Sequence, residues 1–79
     1  MNTKDLKCFQ AVYEERSVSR AARRLFITPQ GLSKNIRQLE EELHAVLFVR
    51  TSHGMAPTES GRFLYERSGR VIRQLEEIE

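Results

Sequence analysis

Residues 16–39 of this chain read RSVSRAARRLFITPQGLSKNIRQL. The stretch predicts two short helices separated by a tight turn. Ser17 can cap the first helix with its hydroxyl oxygen, and Thr28 can cap the second in the same way. Pro29 follows at the first position of the second helix, where its missing N–H costs nothing. The spacing therefore predicts a helix-turn-helix whose second helix covers about residues 29–43.

The same stretch contains no carboxylate, although the whole 79-residue chain has a net charge of only +2. Its basic residues are Arg16, Arg20, Arg23, Arg24, Lys34 and Arg37. A helix pair with an unopposed positive face is what the phosphates of a nucleic-acid groove attract. An ordinary solvated face mixes both signs. We therefore favour DNA binding over a three-helix bundle whose outer face happens to be basic.

The segments on either side complete a small domain. A first helix is expected over residues 4–15, with Thr3 as its cap and apolar residues at helical spacing. His44 stands where the third helix should stop in a left-handed conformation. The letters VLFVR, residues 46–50, predict a strand, and residues 55–57 predict a short returning strand.

These elements predict a mainly α fold, a winged helix-turn-helix with a three-helix core, a two-stranded wing and a long C-terminal linker helix. We place the DNA-binding domain at residues 1–57, with the wing at about 46–57. The linker or dimerisation helix takes residues 58–79 and is capped by Thr58. Its apolar stripe exceeds what so small a domain can cover, so part of it should meet a second chain. The stripe consists of Phe63, Leu64, Val71, Ile72, Leu75 and Ile78.

Polar residues early in the third helix suit the reading of base pairs. Gln30 can bond to an adenine edge, Ser33 to a base or a phosphate, and Lys34 to guanine or the backbone. Arg37 lies one turn further along and is expected on a phosphate. For any single one of these residues, solvation explains the residue type equally well.

Other candidates lie outside that helix. Ser17 and Ser19, at the start of the second helix, can present hydroxyl groups to phosphates. Arg20, on the outer basic face of that helix, is expected to bind a DNA phosphate. Arg50, at the base of the wing, can meet a phosphate or pair with a glutamate at positions 40–42. His53 at the wing tip can enter the minor groove or remain simply solvated.

The sequence gives no support to several other classes of protein. Cys8 is the single cysteine and cannot form an internal disulfide. The chain has only two histidines and one cysteine, which are far apart in sequence and suggest no metal site. No arrangement of residues typical of an enzyme or cofactor site appears. No apolar run is long enough for a membrane span, and the amino terminus lacks a signal peptide, so a cytoplasmic location is expected.

The run from Leu6 through Leu64 resembles the amino-terminal winged helix-turn-helix of LysR-type transcriptional regulators. The matching pieces are LKCFQAV, SVSRAARRLFITPQGLSKNIRQLEEEL, VLFVRT and APTESG. The resemblance implies a bacterial regulator that binds double-stranded DNA at a partly palindromic operator, as a homodimer formed through the last helix. A small-molecule effector would bind a domain that this sequence does not contain.

The resemblance also implies particular contacts. Positions matching Thr28, Pro29, Gln30, Ser33 and Lys34 would touch bases and backbone, and wing positions matching Arg50, Thr51 and His53 would follow the minor groove or backbone. Lys34 stands where the family often has Arg, so it loses the bidentate fork and should read bases less strictly. The rival hypothesis is a winged-helix protein-interaction module that uses the apolar stripe over residues 63–78.

Overall fold

The computed structural model describes residues 1–78 and has, within them, four helices and one two-stranded antiparallel sheet. The elements are α1 (Thr3–Glu15), α2 (Val18–Leu25), α3 (Pro29–Leu43), β1 (Phe48–Thr51), β2 (Gly54–Pro57) and α4 (Glu59–Ile78). This is the winged helix-turn-helix that the sequence predicts.

Three helices begin at their predicted caps. The hydroxyl oxygens of Ser17, Thr28 and Thr58 each accept a hydrogen bond from the N–H three residues further on, at 3.1, 3.0 and 3.0 Å. The prediction for α1 was wrong by one residue, because Asn2 caps it and Thr3 lies inside it. The Asn2 Oδ1 accepts its N–H at 2.8 Å, and Asn ranks with Ser as a cap.

Three helices end in the left-handed conformation without a glycine. Arg16, Phe26 and His44 have φ values of 56°, 59° and 52°. The N–H of each returns to a carbonyl in the last turn of its helix, which offsets the steric cost of the conformation. The predicted stop at His44 is therefore confirmed.

The core lies where α1, α2 and α3 meet. Ala21 and Ala22 are buried, and their small side chains let α2 approach its neighbours closely. The larger buried side chains of the cluster are Phe9, Val12, Leu32, Ile36, Leu39, Leu47 and Phe48. The outward side chains of α3 are held in place by this packing.

The first strand begins at Phe48, two residues later than predicted. The Glu40 carboxylate accepts the N–H groups of Leu47 and Phe48 at 2.7 and 3.4 Å. The Leu47 carbonyl accepts the N–H of Thr58 at 2.9 Å, and that of Val46 accepts the Thr58 hydroxyl. The backbone before Phe48 is therefore bonded to α3 and to the start of α4 and not to a strand.

The wing docks on the end of α1. Thr51 pairs with Gly54 across the turn, and the N–H of Met55 donates to the carbonyl of Arg16 at 3.0 Å. Gly54 has a φ of 112°, and a Cβ there would lie 2.5 Å from the same carbonyl oxygen. Glycine is needed for this close approach.

The last helix packs along α1. The rings of Tyr13 and Tyr65 stack with centroids 3.9 Å apart, and Gln10 donates to the Ser68 hydroxyl at 2.8 Å. No helix among residues 1–78 combines the length and the apolar character that a bilayer span requires.

Candidate nucleic-acid interface

A shallow depression joins the starts of α2 and α3 to the wing. Its lining consists of Ser17, Val18, Ser19, Pro29, Ser33, Arg50, Gly54 and Met55. Five of the predicted DNA-contact residues, contributed by three separate elements, are thus brought to one surface. The amino-terminal ends of α2 and α3 both lie beside it, since Ser17, Ser19 and Pro29 are among its lining residues.

The amino-terminal half of α3 presents its polar side chains outward. Thr28, Gln30, Lys34 and Arg37 are exposed, and Ser33 is half-buried at the edge of the depression. The buried residues of α3 hold the opposite side of the helix against the core. An exposed helix of this kind, with its polar residues near its start, fits the dimensions of a DNA major groove.

A second groove runs between α3 and the wing. It is lined by Val18, Ser33, Ile36, Arg37, Glu40, Phe48, Arg50 and Met55. Within residues 1–78, Lys34, Arg37 and Arg50 take part in none of the ion pairs. The clamp between Arg50 and a glutamate at 40–42 is therefore not formed, and these three cations face solvent.

The arginines of α2 are arranged differently. Arg20 donates to the Glu15 carbonyl at 2.6 Å, with its Nε 3.7 Å from the Glu15 carboxylate. Arg24 lies 2.8 Å from the Glu14 carboxylate and 3.4 Å from that of Glu15. The expectation of an unopposed positive face was wrong here, since the packing of α1 against α2 brings in acids from just outside residues 16–39. Arg20 does not line the depression.

Glu14 also connects these arginines to α4. The Tyr65 hydroxyl donates to its carboxylate, and this hydrogen bond, helped by Arg24, holds the pKa of Glu14 below its usual 4.5. The same bond raises the pKa of Tyr65 above 10. Glu14 is therefore kept ionised by partners from two other helices.

Thr51 shapes the wing tip. Its hydroxyl donates to the Gly54 carbonyl at 2.9 Å and accepts the N–H of His53 at 3.1 Å. The side chain thus holds the turn in the single chain, while His53 is exposed beside it.

The predicted dimerisation stripe is only partly exposed to solvent. Phe63 is 58% exposed and Ile78 81% exposed, whereas Ile72 is 7% exposed and covered within the single chain. Leu64, Val71 and Leu75 are half-buried. An apolar groove, lined by Leu43, Ala45, Leu47, Glu59, Ser60, Phe63 and Leu64, adjoins the start of the stripe.

The sequence did not predict the structural contacts of three residues. The sequence suggested Glu40 only as one of three possible partners of Arg50, and it assigned no role to Gly61 or Tyr65. The position of Glu40, four residues before the end of the helix at His44, could have indicated that its carboxylate bonds to the backbone that follows. Nothing local distinguishes Gly61 or Tyr65, because their partners are distant in the chain.

Fold and surface together define a winged helix-turn-helix domain in which α3 exposes polar and basic side chains. The chain belongs to the lysR family of bacterial regulatory helix-turn-helix proteins, whose family model matches residues 3–62. It is 38% identical over 79 residues to the HTH-type transcriptional regulator YofA of Bacillus velezensis, covering 100% of this chain and 27% of that protein. It is 35% identical over 79 residues to the nitrogen assimilation regulatory protein nac of Escherichia coli, covering 100% of this chain and 26% of that protein. The chain thus spans about a quarter of the length of these relatives.

Solved structures of similar fold include complexes with DNA. The chain matches the BenM_DBD/catB site 1 DNA complex with a TM-score of 0.88 and 35% identity, covering 99% of this chain and 88% of that chain. It matches the CbnR_DBD-DNA complex with a TM-score of 0.89 and 28% identity, covering 98% of this chain and 88% of that chain.

Proposed function

We propose that this chain is the sequence-specific DNA-binding domain of a bacterial transcriptional regulator. The observation that carries the proposal is the convergence of Ser17, Ser19, Pro29, Ser33 and Arg50 on one depression beside the exposed start of α3. Structural neighbours that were solved as complexes with DNA support the same function.

In this proposal the amino-terminal half of α3 enters the major groove. Gln30, Ser33 and Lys34 meet base edges, and Pro29 brings the helix start close to the DNA. Arg37 follows one turn later and contacts a phosphate. Specificity then comes from the first half of α3, and much of the affinity comes from cations that pair with phosphates.

The elements beside α3 hold the DNA backbone. The hydroxyl groups of Ser17 and Ser19, with the first N–H groups of α2, bond to phosphates on one side. Arg50 and the wing turn meet the backbone or the flanking minor groove on the other, and His53 lies nearest the groove.

The regulator would act as a homodimer through α4 on a partly palindromic operator, because a two-fold dimer places its two reading helices symmetrically. An effector would bind a part of the protein other than these 79 residues. The chromosome of a bacterium lies in its cytoplasm, and that is the location we propose.

Selection of bound sites from a random duplex library by the 79-residue chain tests the proposal. We expect enrichment of one motif, with two inverted half-sites at a fixed spacing. Recovery of unenriched sequences at every salt concentration would rule out sequence-specific binding.

The second candidate is a protein-interaction module, favoured by the exposure of Phe63 beside the apolar groove. Salt separates the two functions. DNA affinity falls steeply and linearly on a log–log plot against salt, whereas an apolar helix interface responds little.

A further inference from the structure

Two arginines of α2, Arg20 and Arg24, lie on the side of the helix that meets the end of α1. Neither Arg20 nor Arg24 lines the depression or the groove beside α3. Both side chains remain accessible, at 61% and 46% exposure. DNA bound through these two side chains would be held by guanidinium groups alone.

A contact of that kind carries no sequence information. Guanidinium groups bind phosphates of every sequence, and each contact adds to affinity by releasing counterions. Such a face would therefore retain the protein on arbitrary DNA in an orientation that cannot read the bases.

The carboxylates at the end of α1 lie against this face. Glu14 pairs with Arg24, and Glu15 contacts both Arg24 and Arg20. No comparable pairing affects Lys34, Arg37 or Arg50 among the described residues. The acids thus offset the charge of two of the three arginines of α2, whereas Arg23, like Lys34, Arg37 and Arg50, takes part in none of the ion pairs of residues 1–78.

We propose that Glu14 and Glu15 are specificity-determining residues, which suppress sequence-independent docking of DNA on the outer face of α2. The inference rests on the proposed DNA-binding function. Glu15 is the better residue to test, because it contacts both arginines and Glu14 is additionally held by Tyr65.

The test is Glu15→Gln in the 79-residue chain, which removes the charge and keeps the shape of the side chain. Binding to a duplex enriched by selection and to a shuffled duplex of the same length is measured from about 50 to about 200 mM salt. We expect tighter binding to the shuffled duplex, with a log–log slope steeper by about 0.9 for each added phosphate contact. Over this salt range that slope corresponds to about 3.5-fold more affinity lost per contact. Preference for the enriched duplex should fall.

Two further variants test whether the effect depends on the ion pairs between Glu15 and the arginines of α2. Glu76→Gln removes the same charge from an exposed ion pair with Lys7 at 3.3 Å, formed by α4 and α1 without α2. It should leave the preference unchanged. Arg24→Gln added to Glu15→Gln should restore much of the original preference.

An equal gain on both duplexes, or a gain matched by Glu76→Gln, would overturn this inference. Binding by the unsubstituted chain distinguishes failure of the proposed DNA-binding function from failure of the role proposed for Glu14 and Glu15. If it prefers no selected duplex, both the function and the inference fail. If it shows a normal preference that Glu15→Gln leaves intact, only the inference fails.

Discussion

Gly61 lies in the first turn of α4 at a point where a side chain has no room. A Cβ at this position would lie 2.3 Å from the carbonyl oxygen of Leu47, which accepts the N–H of Thr58. We expect Gly61→Ala to lower the free energy of unfolding by about 1–3 kcal/mol, because α4 or the segment before the wing must shift.

Gly69, in the same helix, provides the matched control for that substitution. A Cβ there meets nothing within 4 Å, so Gly69→Ala should be neutral or stabilise by up to about 1 kcal/mol. Urea unfolding of the two variants measures the difference. Equal effects would contradict the close contact with Leu47.

Ser33 and Lys34 are expected to discriminate between DNA sequences, whereas Arg37 is expected to add affinity without discrimination. Replacing Ser33 and Lys34 together by Ala should reduce the preference for an enriched duplex, since each good base contact contributes about 1–3 kcal/mol of discrimination. Arg37→Ala should weaken binding to enriched and shuffled duplexes alike and lower the salt slope by about 1. A gel-shift titration of both variants on both duplexes checks this. Equal loss on the two sequences for the double variant would refute the reading role.

At the scale of the helices and strands, the sequence predicted the features that depend on interactions between residues close together in the chain. The caps at Ser17, Thr28 and Thr58 each depend on a hydroxyl and an N–H three residues apart, so the sequence contains the whole interaction. The start of β1 depends instead on Glu40, seven residues before Leu47 and in another element. The residues next to Leu47 in the sequence therefore do not reveal this bond.

The residues of the candidate site likewise fall into those that the sequence predicts and those that it does not. Its members in α3 were predictable, because helical spacing alone places Gln30, Ser33 and Lys34 near one another. The charge of α2 was not predictable, because Glu14 and Glu15 are the last residues of α1 and reach the arginines only through the packing of the two helices. Charge patterning along a chain therefore predicts a basic segment better than it predicts a basic surface.

The contact between Glu14 and Tyr65 should make the attachment of α4 sensitive to acid. The pKa of Glu14 is lowered on folding, so its contribution to stability is present above its ordinary pKa of 4.5 and is lost as pH falls through the lower value of the folded protein. Tyr65→Phe removes the main cause of the shift. We expect the variant to be slightly less stable near neutral pH and to lose less stability on acidification.

Thermal midpoints measured for both proteins from neutral pH to below 4.5 test this expectation. The carboxylate is partly exposed, so the difference should be small. Parallel curves for the variant and the unsubstituted chain would show that the hydrogen bond does not couple to protonation.

At the scale of the whole molecule, α4 is the element that one chain leaves incompletely covered. One side of it is held by α1 through the Tyr13 and Tyr65 stack and the hydrogen bond from Gln10 to Ser68, and Ile72 is buried. Its exposed apolar residues, Phe63 and Ile78, lie near opposite ends of the helix. A second helix laid along α4 would cover both ends and the half-buried residues between them, which is the geometry of a two-fold dimer.

Leu75→Glu tests this arrangement, because it places a charge in the part of the stripe that a partner would bury. We expect the dimer to dissociate at concentrations where the unsubstituted chain remains associated, since a desolvated, unpaired carboxylate strongly disfavours burial. Gln74→Glu introduces a negative charge one residue away, at an exposed position, and should leave association nearly unchanged. Sedimentation equilibrium of the three proteins gives the association constants, and far-UV circular dichroism confirms that each remains helical. A Leu75→Glu protein that is folded and as dimeric as the Gln74→Glu control would remove α4 from the proposed interface and leave the apolar groove beside Phe63 as the surface to test next.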